Sequence, residues 1–224
     1  MDIIINFLTN VFHIIASFIG FCMHLDVYLK SIIQTYGTFT YVILFIVVFC
    51  ETGLVVTPFL PGDSLLFAAG TFAAQGAFDL ALLCALLVIA PFFGDNLNYW
   101  IGRSIGPKIF HKENVRFLNK KHLEKTHQFY DKHGPKTVII ARFIPIIRTF
   151  APFVAGIGRM PYFRFIGFSF LGSILWVGVF VMGGYFFGNL PVVKNNFTIV
   201  IFAIILISIM PGIIEYIRHK LKQP

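Results

Sequence analysis

From Phe165 to Val193 the chain carries no charged residue, and from Phe197 to Ile214 it again carries none. A helix rises ~1.5 Å per residue and the hydrocarbon core of a bilayer is ~30 Å thick, so both runs have the length that a membrane-crossing helix needs. Leu80 to Gly102 is a third such run, interrupted only by Asp95 near its far end. Ile3 to Met23 is a weaker fourth, diluted by Asn6, Asn10 and His13, and either spans or lies in the interface. With 57% hydrophobic and 12% charged residues, the chain has too few charges to cover a water-facing surface, where ~25% is usual. The expected class is an all-α integral membrane protein.

Two other regions are apolar but broken. Tyr41 to Gly76 is too long for one helix and holds Glu51, Pro58, Pro61, Gly62 and Asp63 in its middle. The stretch 137–158 carries Arg142, Pro145, Arg148 and Pro152 and ends near Gly156. Proline removes a backbone donor and frees a carbonyl, which lipid cannot satisfy, so these regions must be shielded by protein or line a wet cavity. Their prolines and glycines are the candidate turn and hinge positions. Cys22, Cys50 and Cys84 are scattered through apolar sequence and suggest neither a disulfide framework nor a zinc site. The start Met1-Asp2 lacks the basic region of a removable signal peptide.

Charge placement gives the topology. Between Arg103 and Lys136 stand nine Lys or Arg against three acids, which marks this segment as cytoplasmic and its Leu123, Thr126, Phe129 and Tyr130 as the apolar face of a surface helix. The net charge of +8 thus speaks for lipid headgroups and not for nucleic acid. The tail with Arg218, Lys220 and Lys222 is basic and cytoplasmic by the same rule. Between these two anchors an even number of crossings is required, yet three apolar segments intervene (137–158, 165–190 and 197–215). The proline- and arginine-bearing segment is therefore expected to enter and leave on one side, as a re-entrant hairpin. Region 41–76 then becomes its counterpart from the outer face. Each half is a broken hairpin followed by a span, with opposite orientation, an inverted repeat of the kind found in transporters. The expected organisation is an N-terminal helix (1–29), a membrane domain (30–217) and a basic tail (218–224).

Glu51 lies 10 residues past Tyr41, about 15 Å along a helix and so near mid-membrane. Ionisable side chains at that depth pair with one another and mark ion or substrate paths. Glu51 and Asp63 on one hairpin face Arg142 and Arg148 on the other, and the four charges sum to zero. An arriving phosphate would compete for the arginines and leave carboxylates to take up protons. The alternative is a structural quartet that only pins the hairpins together. Asp95 and Tyr99, one helical turn apart, are accessory candidates with Arg103; Asp95 is expected to pair with Arg103 or with a hairpin arginine. Trp100, Trp176 and Tyr185 suit interfacial anchoring or packing.

The segments ETGLVVTPFLPGDSLLFAAG (51–70), GDNLNYWIGR (94–103) and RFIPIIRTFAPFVAG (142–156) resemble the DedA family, also known as SNARE-associated or VTT domain proteins, over about residues 30–217. No departure breaks these motifs. The resemblance implies a multi-pass protein of the bacterial inner membrane with two facing re-entrant hairpins, in which Glu51, Asp63, Arg142 and Arg148 match the acids and arginines the family requires. It further implies a part in returning undecaprenyl phosphate across the membrane, in membrane-potential maintenance or in envelope integrity, as eukaryotic relatives scramble phospholipids.

The resulting expectation is a lipid transporter without cofactor or metal, in which Arg142 and Arg148 hold a phosphate and Glu51 and Asp63 exchange protons. Its partners are the lipid, protons and the bilayer; self-association is left open. Two rivals remain, a proton-coupled exporter of small cations and a membrane lipid phosphatase. The latter is disfavoured because no nucleophile–base pair stands among the motif residues.

Overall fold

The computed structural model describes residues 20, 25–54, 62–110 and 137–221, and regular structure among them is entirely helical. In chain order these are α1 (Leu25–Tyr36), a 3-10 turn (Gly37–Phe39), α2 (Thr40–Gly53), α3 (Gly62–Ala74), α4 (Leu80–Phe110), α5 (Pro145–Ile157), α6 (Tyr162–Phe187), α7 (Pro191–Asn195) and α8 (Phe197–Leu221). A helical turn at 137–141 precedes α5. The expectations for residues 3–23, for Pro58 and Pro61, for the basic segment 111–136 and for Lys222 fall outside the described residues.

Among the described residues three stretches are long and apolar enough to cross a membrane, Leu25–Gly53, Leu80–Ile105 and Tyr162–Phe187. The first bends at Gly37, whose φ of +51° suits a residue without Cβ. With 31 and 26 residues, α4 and α6 measure about 46 and 39 Å. The α4 helix continues past Gly102, where the span was expected to end, as far as Phe110. By contrast α3 and α5, at 13 residues each, reach only about 20 Å, short of the hydrocarbon thickness, and α2, at 14 residues, reaches span length only together with α1. Long helices show apolar side chains outward, among them Phe163, Val179 and Phe186 on α6 and Ile199 and Ile207 on α8. Such a surface belongs in lipid. The chain is an integral membrane protein.

What holds the helices together is a set of glycine seams. Lipid tails are as apolar as leucine, so helices associate in membranes by close backbone approach at small residues. A Cβ on Gly70 of α3 would collide with the Val181 carbonyl of α6, and one on Gly184 of α6 with the Phe67 carbonyl of α3. The same figure recurs in the other half. A Cβ on Gly156 of α5 would strike the Tyr99 carbonyl of α4, and one on Gly102 of α4 the Phe153 carbonyl of α5. Phe67-Ala68-Ala69-Gly70 and Phe153-Val154-Ala155-Gly156 therefore hold matching places. Each half seats its short second helix on the long helix of the other. A further contact joins α2 to α4, where a Cβ on Gly53 would lie 3.1 Å from the Gly94 Cα.

Two expected turn positions are corrected by this arrangement. Pro152 lies inside the continuous helix α5, and Gly156 belongs to its last turn. The break comes earlier, at 142–144. Ile144 is extended there and Pro145 opens α5, because proline at a helix start costs no internal hydrogen bond. Gly156 serves close helix packing instead. Gly62 does stand at a boundary, as the first residue of α3.

The main apolar core gathers Leu25 and Leu29 of α1, Val48 of α2, Leu66 of α3, Leu87 of α4 and Val181 of α6, all buried. At one end of this core Gln75 donates to Asn189 Oδ1 at 3.0 Å, joining the segment after α3 to the segment after α6.

Candidate functional site

Between the short helices and the two long ones lies a buried cluster of charge. Glu51 ends α2, Asp63 starts α3, Asp95 sits in α4, Arg142 occupies the turn before α5 and Arg148 its first turn. Each is at most 5% exposed. In a low-dielectric interior such charges are tolerable only when paired and hydrogen-bonded.

Arg148 is the hub of one group. Its Nη1 donates to Asp63 Oδ1 at 2.7 Å, and its Nη2 pairs with Glu51 Oε1. The two arms of one guanidinium thus hold two carboxylates from opposite sides of the α2–α3 break, a fork that lysine cannot reproduce. The Arg148 guanidinium also lies 4.5 Å from the centroid of the Trp176 ring, a cation–π contact. Asp63 receives two more donors, Trp176 Nε1 at 2.8 Å and Ser208 Oγ at 2.5 Å. Glu51 rests against Gly62, where any Cβ would collide with its carboxylate. The N-terminus of α3 thereby faces an anion, the favourable sense of the helix dipole.

Arg142 forms a second group. It pairs with Asp95 Oδ2, and its Nη2 also approaches the Ser169 carbonyl at 3.2 Å. The Ser169 hydroxyl donates to the same Asp95 oxygen at 2.7 Å. The guanidinium stem packs on α6 at Gly172, where an added Cβ would come within 3.1 Å of Arg142 Nε. Asn98, three residues after Asp95, ties the groups together. Its Nδ2 donates to the Thr149 carbonyl at 2.6 Å and to the Thr52 carbonyl at 3.3 Å, the neighbours of Arg148 and Glu51 in the chain.

The expected quartet is thus divided. Glu51, Asp63 and Arg148 meet, whereas Arg142 turns to Asp95. The tally of two acids against two arginines is corrected with it, since Asp95 makes three carboxylates against two guanidiniums. A fully ionised site would carry one uncompensated negative charge. Tyr99 and Arg103 pair with each other, Arg103 Nη1 donating to Tyr99 Oη at 2.8 Å, while Tyr99 Oη donates to the Met160 carbonyl at 2.6 Å. They lock α4 to the α5–α6 turn and do not reach the charged groups. Trp100 is half exposed, as an interfacial anchor would be, but Trp176 is fully buried against Arg148 and Asp63. Trp176, Ser208, Ser169 and Asn98 were invisible as site residues in the sequence. All lie on helices whose apolar character hides a lone polar group, and only the fold brings them to an ion pair.

Beside Gly62 an apolar cavity of about 120 Å³ opens between α1, α2 and α3, walled by Leu25, Leu29, Ile43, Leu44 and Leu65 among others. Among the described residues no group of three or more His, Cys, Asp or Glu is arranged to hold a metal ion.

The family model described as the VTT domain matches residues 60–186. The chain is 52% identical over 204 residues to Protein DedA of Escherichia coli (strain K12), covering 90% of this chain and 93% of the relative. It is 36% identical over 156 residues to Inner membrane protein YghB (70% of this chain, 71% of the relative). The figure for Inner membrane protein YqjA is 34% over 152 residues (68% and 69%), both relatives being from the same strain. No solved structure matches the chain.

Proposed function

The chain belongs to the DedA family of VTT domain proteins, and from that premise we propose that it is a lipid transporter of the bacterial inner membrane. Its substrate is the phosphate head of undecaprenyl phosphate or a related anionic phospholipid, which crosses through the buried polar centre while the tail stays in hydrocarbon. The observation that carries this reading is the hub, one guanidinium held by two carboxylates in an apolar fold. Arginine is the side chain best shaped for phosphate oxygens, and both arginines are already desolvated. In this reading the short helices are the legs of two re-entrant hairpins, the C-terminal ends of α4 and α8 lie in the cytoplasm, and the breaks at Gly62 and Pro145 change access. Transport is coupled to protons because displacing a carboxylate from its arginine leaves a buried anion that a proton neutralises.

The apolar cavity beside Gly62 favours a lipid over a small cation. A dry cavity of about 150 Å³ takes up a benzene-sized hydrocarbon, so this one has room for the chain segment next to a head group. The chain acts as a carrier without covalent chemistry. The deciding experiment is translocation of a fluorescent polyprenyl phosphate and of an anionic phospholipid by purified protein in liposomes, with and without a proton gradient. Head-group movement that Arg148→Gln abolishes is the expected result. Movement indifferent to bulk pH and to the gradient would remove the coupling, release of inorganic phosphate would favour an enzyme, and flux of small cations alone would favour an exporter.

A further inference from the structure

The two arginines serve different carboxylates, and each keeps a buried nitrogen that nothing among the described residues accepts. Arg142 Nη1 and Arg148 Nε have no acceptor, Asp95 Oδ1, Asn98 Oδ1 and Glu51 Oε2 have no donor, and Ser64 Oγ, next to Asp63, has no partner either. Their residues are 0–3% exposed. Buried polar atoms are nearly always satisfied, and leaving one open at a charged group is costly, so open nitrogens and open oxygens in both charged groups call for a guest with both acceptors and a donor. A phosphate monoester offers oxygens to the guanidinium nitrogens and, when singly protonated, a hydroxyl to an open carboxylate or amide oxygen.

We infer that Arg142, Asp95 and Ser169 form a second anion station, separate from the one at Arg148, and that a lipid phosphate occupies the two in turn. This rests on the lipid-phosphate reading above. The open nitrogens sit on guanidiniums paired with different carboxylates, so a head group can engage one arginine and displace its own acid while the other arginine keeps its pairs. Asn98 marks the passage between them. It follows Asp95 by three residues, roughly 5 Å along α4, and its amide touches the backbone beside both Glu51 and Arg148. Asp95 is the counter-ion that closes the second station when no phosphate is there, and Ser169 positions it. Charge supports the division, since the hub has two acids for one arginine and the second group one for one.

The test uses the full-length protein in nanodiscs and equilibrium binding of farnesyl phosphate, with inorganic phosphate as a second probe. Two alternative stations predict that Arg142→Gln or Arg148→Gln alone weakens binding only by the share of its own station, roughly twofold where the two are equal, while only the double variant abolishes it. Ser169→Ala, which removes a donor that holds Asp95, should tighten binding in the Arg148→Gln background, in the same sense as Asp95→Asn. Asp95→Asn should tighten binding while slowing translocation, because the head group is no longer displaced from Arg142. If either single arginine variant loses as much as the double, there is one composite site and the inference fails while the lipid reading stands. If the native protein binds inorganic phosphate in this pattern but not farnesyl phosphate, the stations stand and the lipid reading fails. Binding of neither probe overturns both.

Discussion

Replacing Arg148 tests whether its fork is the keystone of the charged centre. Arg148→Met keeps much of the volume but strands two carboxylates that are 0% and 5% exposed. The damage is unequal. Asp63 retains the Trp176 and Ser208 donors, whereas Glu51 is left beside the N-terminus of α3. Breaking a buried pair from one side costs ~3–5 kcal/mol, most of it here from Glu51. Adding Glu51→Gln removes the stranded charge and should return about 1–3 kcal/mol, the coupling expected of residues in direct contact. Arg148→Lys retains the charge but only one arm and no planar stack on Trp176, and should cost about 1–3 kcal/mol. The assay is reversible unfolding of purified protein in mixed micelles, followed by tryptophan fluorescence at fixed pH. The reasoning is refuted if the double variant is no more stable than Arg148→Met, or if all three variants stay within about 0.5 kcal/mol of the native protein, as surface changes do.

Other consequences are simpler to measure. Gly70→Ala and Gly156→Ala should both lower the melting temperature and by similar amounts, because each Cβ meets a carbonyl across a seam. Gly167→Ala and Gly178→Ala, in the same fold with nothing within 4 Å of the new Cβ, should be neutral or gain up to ~1 kcal/mol from helix propensity. Brominated lipid should quench Trp100, which is 48% exposed, and spare Trp176 at 0%; measured in the single-tryptophan variants Trp176→Phe and Trp100→Phe, equal quenching would contradict the burial of Trp176. Cysteines at Gln75 and Lys194 should react with an impermeant reagent from the same side of the membrane, since the Gln75–Asn189 hydrogen bond joins the ends of α3 and α6. Labelling from opposite sides would break the topology.

The long helices from Tyr162 to Phe187 and from Leu80 onward are legible because a run of apolar residues has one physical solution in lipid, although the first ends before Val193 and the span-length stretch Leu25–Gly53 does not read as one. Glu51, Asp63 and Arg148 could be grouped from sequence because ionised side chains in such a context must find each other. Which arginine meets which acid could not. Arg142 and Arg148 are six residues apart, and the turn at 142–144 sends them to different neighbours, a choice made by the α4 and α6 surfaces and not by local spacing. Asp95 looked ambiguous for the same reason, with Arg103 only eight residues away but engaged with Tyr99. Pro152 reads as a turn because proline usually ends a helix, yet α5 continues through it toward the Gly156 seam. Trp176 gave no signal at all, since one tryptophan in a charge-free run looks like any other bulky ring.

The exchanged seating of α3 on α6 and α5 on α4 has an outcome for how the molecule comes into being. Neither half, taken as a fragment, owns the groove its short helix needs, so the first to be inserted must wait with polar cargo unsheltered until its counterpart is synthesised. A chain cut between α4 and the 137–141 turn should regain its shape only by complementation of the two pieces, and either piece alone should be cleared by quality-control proteases.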